Sequence, residues 1–154
     1  MLAYNDDPGG YSDNSGFYSV TVANSPSGRT SSGGSGTSSG ITTVLFDRAD
    51  PIQNSTITIE GSGLGQHPAY NGDSSYLQIH DVNSNWNAGY GNDRITLNVI
   101  QWTDNKIVIN GFTGSYGGGW SINPGDKLLI GVLNPQSTST TPATYQIVIP
   151  SSAN

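Results

Sequence analysis

The chain has 154 residues, 33% of them hydrophobic and only 10% charged, and glycine, serine, asparagine and threonine together make up nearly half of it. That composition is poor in helix formers and rich in turn and strand residues, which argues against helix bundles, coiled coils and helical α/β enzymes and for an all-β fold. The net charge is −6, and Arg29, Arg48, Arg94, Lys106 and Lys127 are scattered, so no basic stripe exists to neutralise phosphates and neither nucleic acid nor membrane insertion is expected.

In chain order, residues 1–24 come first and contain one alternating run, 17–22, with Tyr18, Val20 and Val22 on one face, which predicts a half-buried strand. Residues 25–40, SPSGRTSSGGSGTSSG, carry one charge and nothing to bury, the composition of a flexible linker. Seven strand-like runs follow, at 41–46, 56–60, 75–80, 94–101, 106–110, 127–133 and 144–149, before a short tail at 151–154. In several runs one parity is apolar, as in Ile95, Leu97 and Val99 or Leu128, Ile130 and Val132, which a sheet with one face on a core requires. Seven short strands separated by turn signals such as Asn123-Pro124-Gly125-Asp126 predict an immunoglobulin-like antiparallel β-sandwich over 41–150.

Two stretches resemble known families. Residues 41–150 resemble a bacterial IPT/TIG-type immunoglobulin-like domain, through TITIEGSGLG (56–65), WTDNKIVINGF (102–112), PGDKLLIGVLN (124–134) and the closing ATYQIVI (143–149). The resemblance implies a spacer, an adhesin stalk or a carbohydrate-associated module. NDDPGGYSDNSGFYSVTV (5–22) resembles the C-terminal calcium loop of LecA-type bacterial galactose lectins, which implies that residues 1–24 are a calcium-loop β-hairpin segment. Carried over by position, it implies that Asp6, Asp13 and Asn14 give side-chain oxygens and Gly10 a backbone carbonyl to calcium. Calcium takes six to eight oxygens, and a glycine-rich turn lets them converge. The preceding strands of the lectin, with most of its sugar contacts, have no counterpart in the residues given.

Asp81, Asn83, Asn85 and Asp93 offer oxygens over one loop that begins like an EF-hand. Trp86 stands at its sixth position and Asn92 at its twelfth, where that motif needs Gly and Glu, so a second calcium loop here would be of another kind, the alternative being a self-bonded turn. Exposed aromatic rings flanked by Asn and Asp suit the apolar faces and hydroxyls of sugars. Trp86, Tyr90, Tyr116 and Trp120 lie in such loops and are the candidates for ligand stacking or for packing over the ends of the sheet, whereas Trp102 follows a well-alternating strand and is expected in the core.

Catalysis finds no signature. Glu60 is the only glutamate, no carboxylate pair is marked by a motif, and His67 and His80 lack zinc spacing. Gly36-Thr37-Ser38-Ser39-Gly40 matches a nucleophile-elbow pattern only inside the low-complexity tract. The chain has no cysteine and opens with neither a basic n-region nor an apolar h-region.

The expectation is therefore a non-catalytic, calcium-binding, carbohydrate-binding or adhesive module, extracellular or on the cell surface, with a glycan or surface polysaccharide as partner. The alternative is a structural subunit of a surface fibre that self-associates by strand addition. If calcium occupies the Asp6, Gly10, Asp13 and Asn14 loop, a chelator lowers the melting temperature and Asp13→Ala removes that difference. Calorimetry showing no calcium uptake at millimolar metal would contradict it.

Overall fold

A computed structural model describes residues 40–151. The expected N-terminal hairpin and calcium loop, and all of the expected linker except Gly40, lie outside these residues. Contacts divide the chain into units Met1–Gly33 and Gly34–Asn154, and every described residue belongs to the second.

The described residues form nine strands and no α-helix: β1 (Gly40–Asp47), β2 (Thr56–Ser62), β3 (Tyr70–Gly72), β4 (Leu77–Asp81), β5 (Trp86–Ala88), β6 (Ile95–Thr103), β7 (Lys106–Gly114), β8 (Lys127–Val132) and β9 (Ala143–Val148). The fold is all-β. All seven runs read from the sequence become strands; β3 and β5, three residues each, are additions inside what the sequence presents as loops.

Neighbours follow the order β1-β2-β7-β6-β5-β4-β8-β9, with β3 on β6. Without β3 and β5, the two runs β1-β2-β7-β6 and β4-β8-β9 have the strand order of the two sheets in an immunoglobulin constant-type domain. The halves are not separate, because Ala88 of β5 pairs with Ile95 of β6 in parallel, the single register point joining them. Gly89 makes the crossing possible. Its N–H donates to the Ile95 carbonyl at 3.0 Å and its own carbonyl accepts from Ser74 N–H at 2.8 Å. Its φ is +86°, and a Cβ there would collide with the Leu97 side chain, so only glycine fits.

The core is built by alternation. Ile57 and Ile59 of β2, Leu77 and Ile79 of β4, Leu97 of β6, Ile107 and Ile109 of β7, and Leu128 and Ile130 of β8 are all fully buried. Two irregularities shift that parity. β6 buries Ile95, Leu97 and Val99, exposes both Ile100 and Gln101, and then buries Trp102, with register shifts against β7 on either side of Val99. β7 buries Ile107 and Ile109, exposes Asn110, and then buries Gly111 and Phe112 in succession. Each extra residue turns a large aromatic ring inward that a regular strand would have pointed to solvent. Trp102 is accordingly a core residue, as expected, with its indole N–H on the Leu64 carbonyl at 3.0 Å.

Gly111 carries the β7 irregularity. Its φ is +100°, and a Cβ would stand 2.7 Å from the Gln53 carbonyl oxygen. Gly111→Ala should therefore cost about 1–3 kcal/mol, and Ile79→Ala about 2–5 kcal/mol through the cavity it leaves. Gly117→Ala, where a Cβ meets nothing within 4 Å, should be near neutral. Urea unfolding checks all three: the midpoint falls for the first two at constant slope and stays for the third.

Candidate functional site

Among the described residues, the connection between β7 and β8 holds the most exposed aromatic group. Tyr116 is 38% exposed and lies 4.8 Å, ring to ring, from the half-buried Trp120, with planes tilted by 40°. Trp120 rests in turn on Trp86 at 5.6 Å and Phe112 at 5.5 Å. Between Tyr116 and Trp120, three glycines form a turn closed by Trp120 N–H on the Gly117 carbonyl at 3.0 Å. The base of the connection is fixed. Ile122 is buried, Trp86 Nε1–H donates to the Ser121 carbonyl at 2.9 Å, and Arg48 reaches the Ile122 carbonyl at 3.4 Å. The Tyr116 hydroxyl donates to the Phe112 carbonyl, which sets the ring angle, and burial pushes its pKa above the ordinary phenol value.

Of the four rings expected to stack on a ligand, three therefore meet. Tyr116 is exposed and Trp120 half-buried. Trp86, only 9% exposed, takes the packing alternative: it is the floor beneath them and meets Phe112 edge-on at 5.7 Å and 85°. Tyr90 lies apart, in the β5–β6 turn, where it bridges to Ser74. The Trp120 indole N–H is enclosed and has no hydrogen-bond partner.

At the candidate second calcium loop, side-chain oxygens accept hydrogen bonds from backbone N–H groups. Asp81 is fully buried at the end of β4. Its Oδ1 accepts the N–H groups of Asn83 and Ser84, both at 2.8 Å, and its Oδ2 is enclosed without a partner. Asn83 Oδ1 accepts Lys127 N–H at 2.9 Å, which ties the turn to β8. Asn85 supplies a left-handed residue, φ 53°. Asp93 sits in the next turn and accepts Tyr90 N–H at 3.2 Å. Side-chain oxygens here cap turns, and among the described residues no three His, Cys, Asp or Glu side chains gather closely enough to hold a metal. Asp6, Gly10, Asp13 and Asn14 lie outside the described residues.

Asp73, which the sequence reading passed over, is the electrostatic partner of Asp93. Both carboxyls are pushed above the ordinary range, first by burial; Asp93 is raised further by the charge of Asp73, and backbone N–H groups of Asn92 and Tyr90 pull them partly back. Asp73 is partly exposed as a residue, yet its Oδ1 is enclosed and unpartnered. Tyr70, hydrogen-bonded to Ser74 at 3.1 Å, is raised by burial and by the same charge. Its ring joins a second aromatic group, in which His67 lies 5.4 Å from Trp102, 5.0 Å from Tyr70 and 6.0 Å from Tyr76. Only the repeated Asp-in-turn pattern could have flagged Asp73.

Among the described residues no helix is long and apolar enough to cross a membrane. Comparison of the chain with family models, with curated protein sequences and with solved structures finds no match.

Folding raises the carboxyl pKa of both Asp73 and Asp93, so the folded chain binds their protons more readily than the unfolded one. Their ionisation therefore opposes folding; the penalty is absent below the unfolded value of 3.8 and grows as pH rises through the higher folded values. Asp73→Asn, which keeps an acceptor for Asn92 N–H, should gain stability over the parent chain from about pH 4 upward, levelling off above the folded values. Denaturant midpoints measured across pH check this; a constant difference between the two chains would refute it.

Proposed function

We propose that the chain is a non-catalytic carbohydrate-binding module of an extracellular or cell-surface protein, with an immunoglobulin-like domain of IPT/TIG type carrying the glycan contact and a calcium loop in its N-terminal segment. The strand order β1-β2-β7-β6 and β4-β8-β9 supports the domain reading. The observation that carries the functional one is the Tyr116–Trp120 pair: two rings tilted against one another on a surface loop, backed by Trp86 and Phe112 and followed in the chain by Ser121 and Asn123, whose side chains bond one another at 3.0 Å. An apolar face beside hydroxyl and amide groups is what a sugar ring requires.

A second reading, a subunit of a self-assembling surface fibre, is favoured by the sheet edges. β1 and β9 each have a hydrogen-bonded neighbour on one side only; they lie close to one another and expose Leu45 and Val148, both 58% accessible. Such edges can accept another strand. Light scattering over a range of concentrations separates the readings, since a monomer throughout removes the fibre.

A glycan array read with and without chelator tests the first reading, and Tyr116→Ala should weaken binding of the best glycan about five- to tenfold, the worth of one stacked ring. Unchanged affinity in that variant would exclude the platform.

A further inference from the structure

We propose that the cleft between the turn after β2 and the β8–β9 connection is a second ligand site, shaped for a single neutral sugar ring. This rests on the carbohydrate-binding reading and adds to it a site that contains none of the aromatic platform. The cleft encloses ≈ 290 Å³, with Leu64, Val132 and Ala143 among its apolar lining residues and Asn134, Ser137 and Thr141 among its polar ones. Apolar groups beside hydroxyls and an amide match a ring that has a C–H face and hydroxyl substituents. No carboxylate, ammonium or guanidinium lines it, so nothing there would neutralise a charged ligand. Small-molecule pockets start at about 300 Å³, which leaves room for one ring and not for a chain.

The walls are held in place before any ligand arrives. Asn134 Nδ2–H donates to the Gly63 carbonyl at 2.9 Å. Gln136 grips Gln66 twice, its Nε2–H on the Gln66 carbonyl at 2.8 Å and its Oε1 accepting Gln66 N–H at 2.7 Å. Ser137 N–H returns to the Asn134 carbonyl at 3.0 Å, and Ser139 Oγ accepts Thr141 N–H at 3.2 Å. The Asn134 and Gln136 bonds join segments about seventy residues apart in sequence and the others brace the connection itself, so little ordering remains to oppose binding. The Ser137 hydroxyl accepts Ser139 N–H but donates to no described residue, and the Thr141 hydroxyl neither donates to nor accepts from one; both are available to ligand hydroxyls.

The test is an amide NMR titration of the full chain with the methyl α-pyranosides of glucose, galactose and mannose, at concentrations on the order of millimolar and above because no ring stacking contributes. At least one should shift Gly63, Leu64, Asn134 and Thr141 saturably. Thr141→Val, which removes one hydroxyl at an exposed position, should weaken that binding about three- to tenfold. Ala143→Phe, which fills the cleft, should abolish it while the melting curve reports a folded chain. No shift at these residues with any of the three sugars would overturn the proposal, as would shifts that persist unchanged in Ala143→Phe. Shifts confined to Tyr116 and Trp120 would overturn the cleft and leave the platform standing.

Discussion

Backbone pairing between the two halves of the sheet runs through one short crossing. Ala88 pairs with Ile95, Gly89 bonds both Ile95 and Ser74, and no side chain larger than hydrogen fits where Leu97 fills the space above Gly89. A single parallel contact is weak by itself, but here it lies over the fully buried Leu77, Ile79 and Leu97. Burial of that apolar surface supplies the energy and the backbone bonds supply the direction. The crossing also brings the 73–74 turn against the 90–93 turn, which is why two carboxylates that prefer water, Asp73 and Asp93, are held where burial raises the cost of ionising both and the charge of Asp73 adds to that cost at Asp93.

The same economy governs the aromatic residues. The extra residues in β6 and β7 each turn a ring inward, Trp102 in one strand and Phe112 in the other. Because the strands are antiparallel, with Trp102 opposite Ile107 and Leu97 opposite Phe112, the two rings stand at opposite ends of the ladder, about 17 Å apart along it. Each gathers its own group: His67, Tyr70 and Tyr76 around Trp102, and Trp86 and Trp120 around Phe112. The domain thus has a ring-lined region at either end, one capped by the Tyr116 loop and the other bordered by the 63–67 turn and its partners in the β8–β9 connection.

The strands were legible because alternation survives in runs of five or more residues. β3 and β5 were not, since three residues such as Tyr70, Asn71 and Gly72 cannot display a period and their Asn and Gly content reads as turn. β7 continues past the expected end at residue 110 because Gly111, a terminator in sequence terms, acts here as the point where parity changes. The turn carboxylates were ambiguous for a chemical reason: the oxygens that would bind calcium are the ones that accept backbone N–H groups, and Asp81 satisfies both descriptions. The 63–64 and 132–143 cleft had no sequence signal at all, because its two sides come from distant segments and its hydroxyls look like ordinary linker composition.

The triple glycine at 117–119 has one more consequence. A Cβ at any of the three would meet nothing within 4 Å, while the stem on which they stand is pinned by Ile122 and by the Trp86 bond to Ser121. Sequence variation at that tip is thereby uncoupled from the folding of the rest. Substitutions or short insertions there alter what the loop presents without disturbing the packing that supports it, so the surface beside Tyr116 can diversify under selection at little cost in stability, a property the densely bonded turns elsewhere in the sheet do not share.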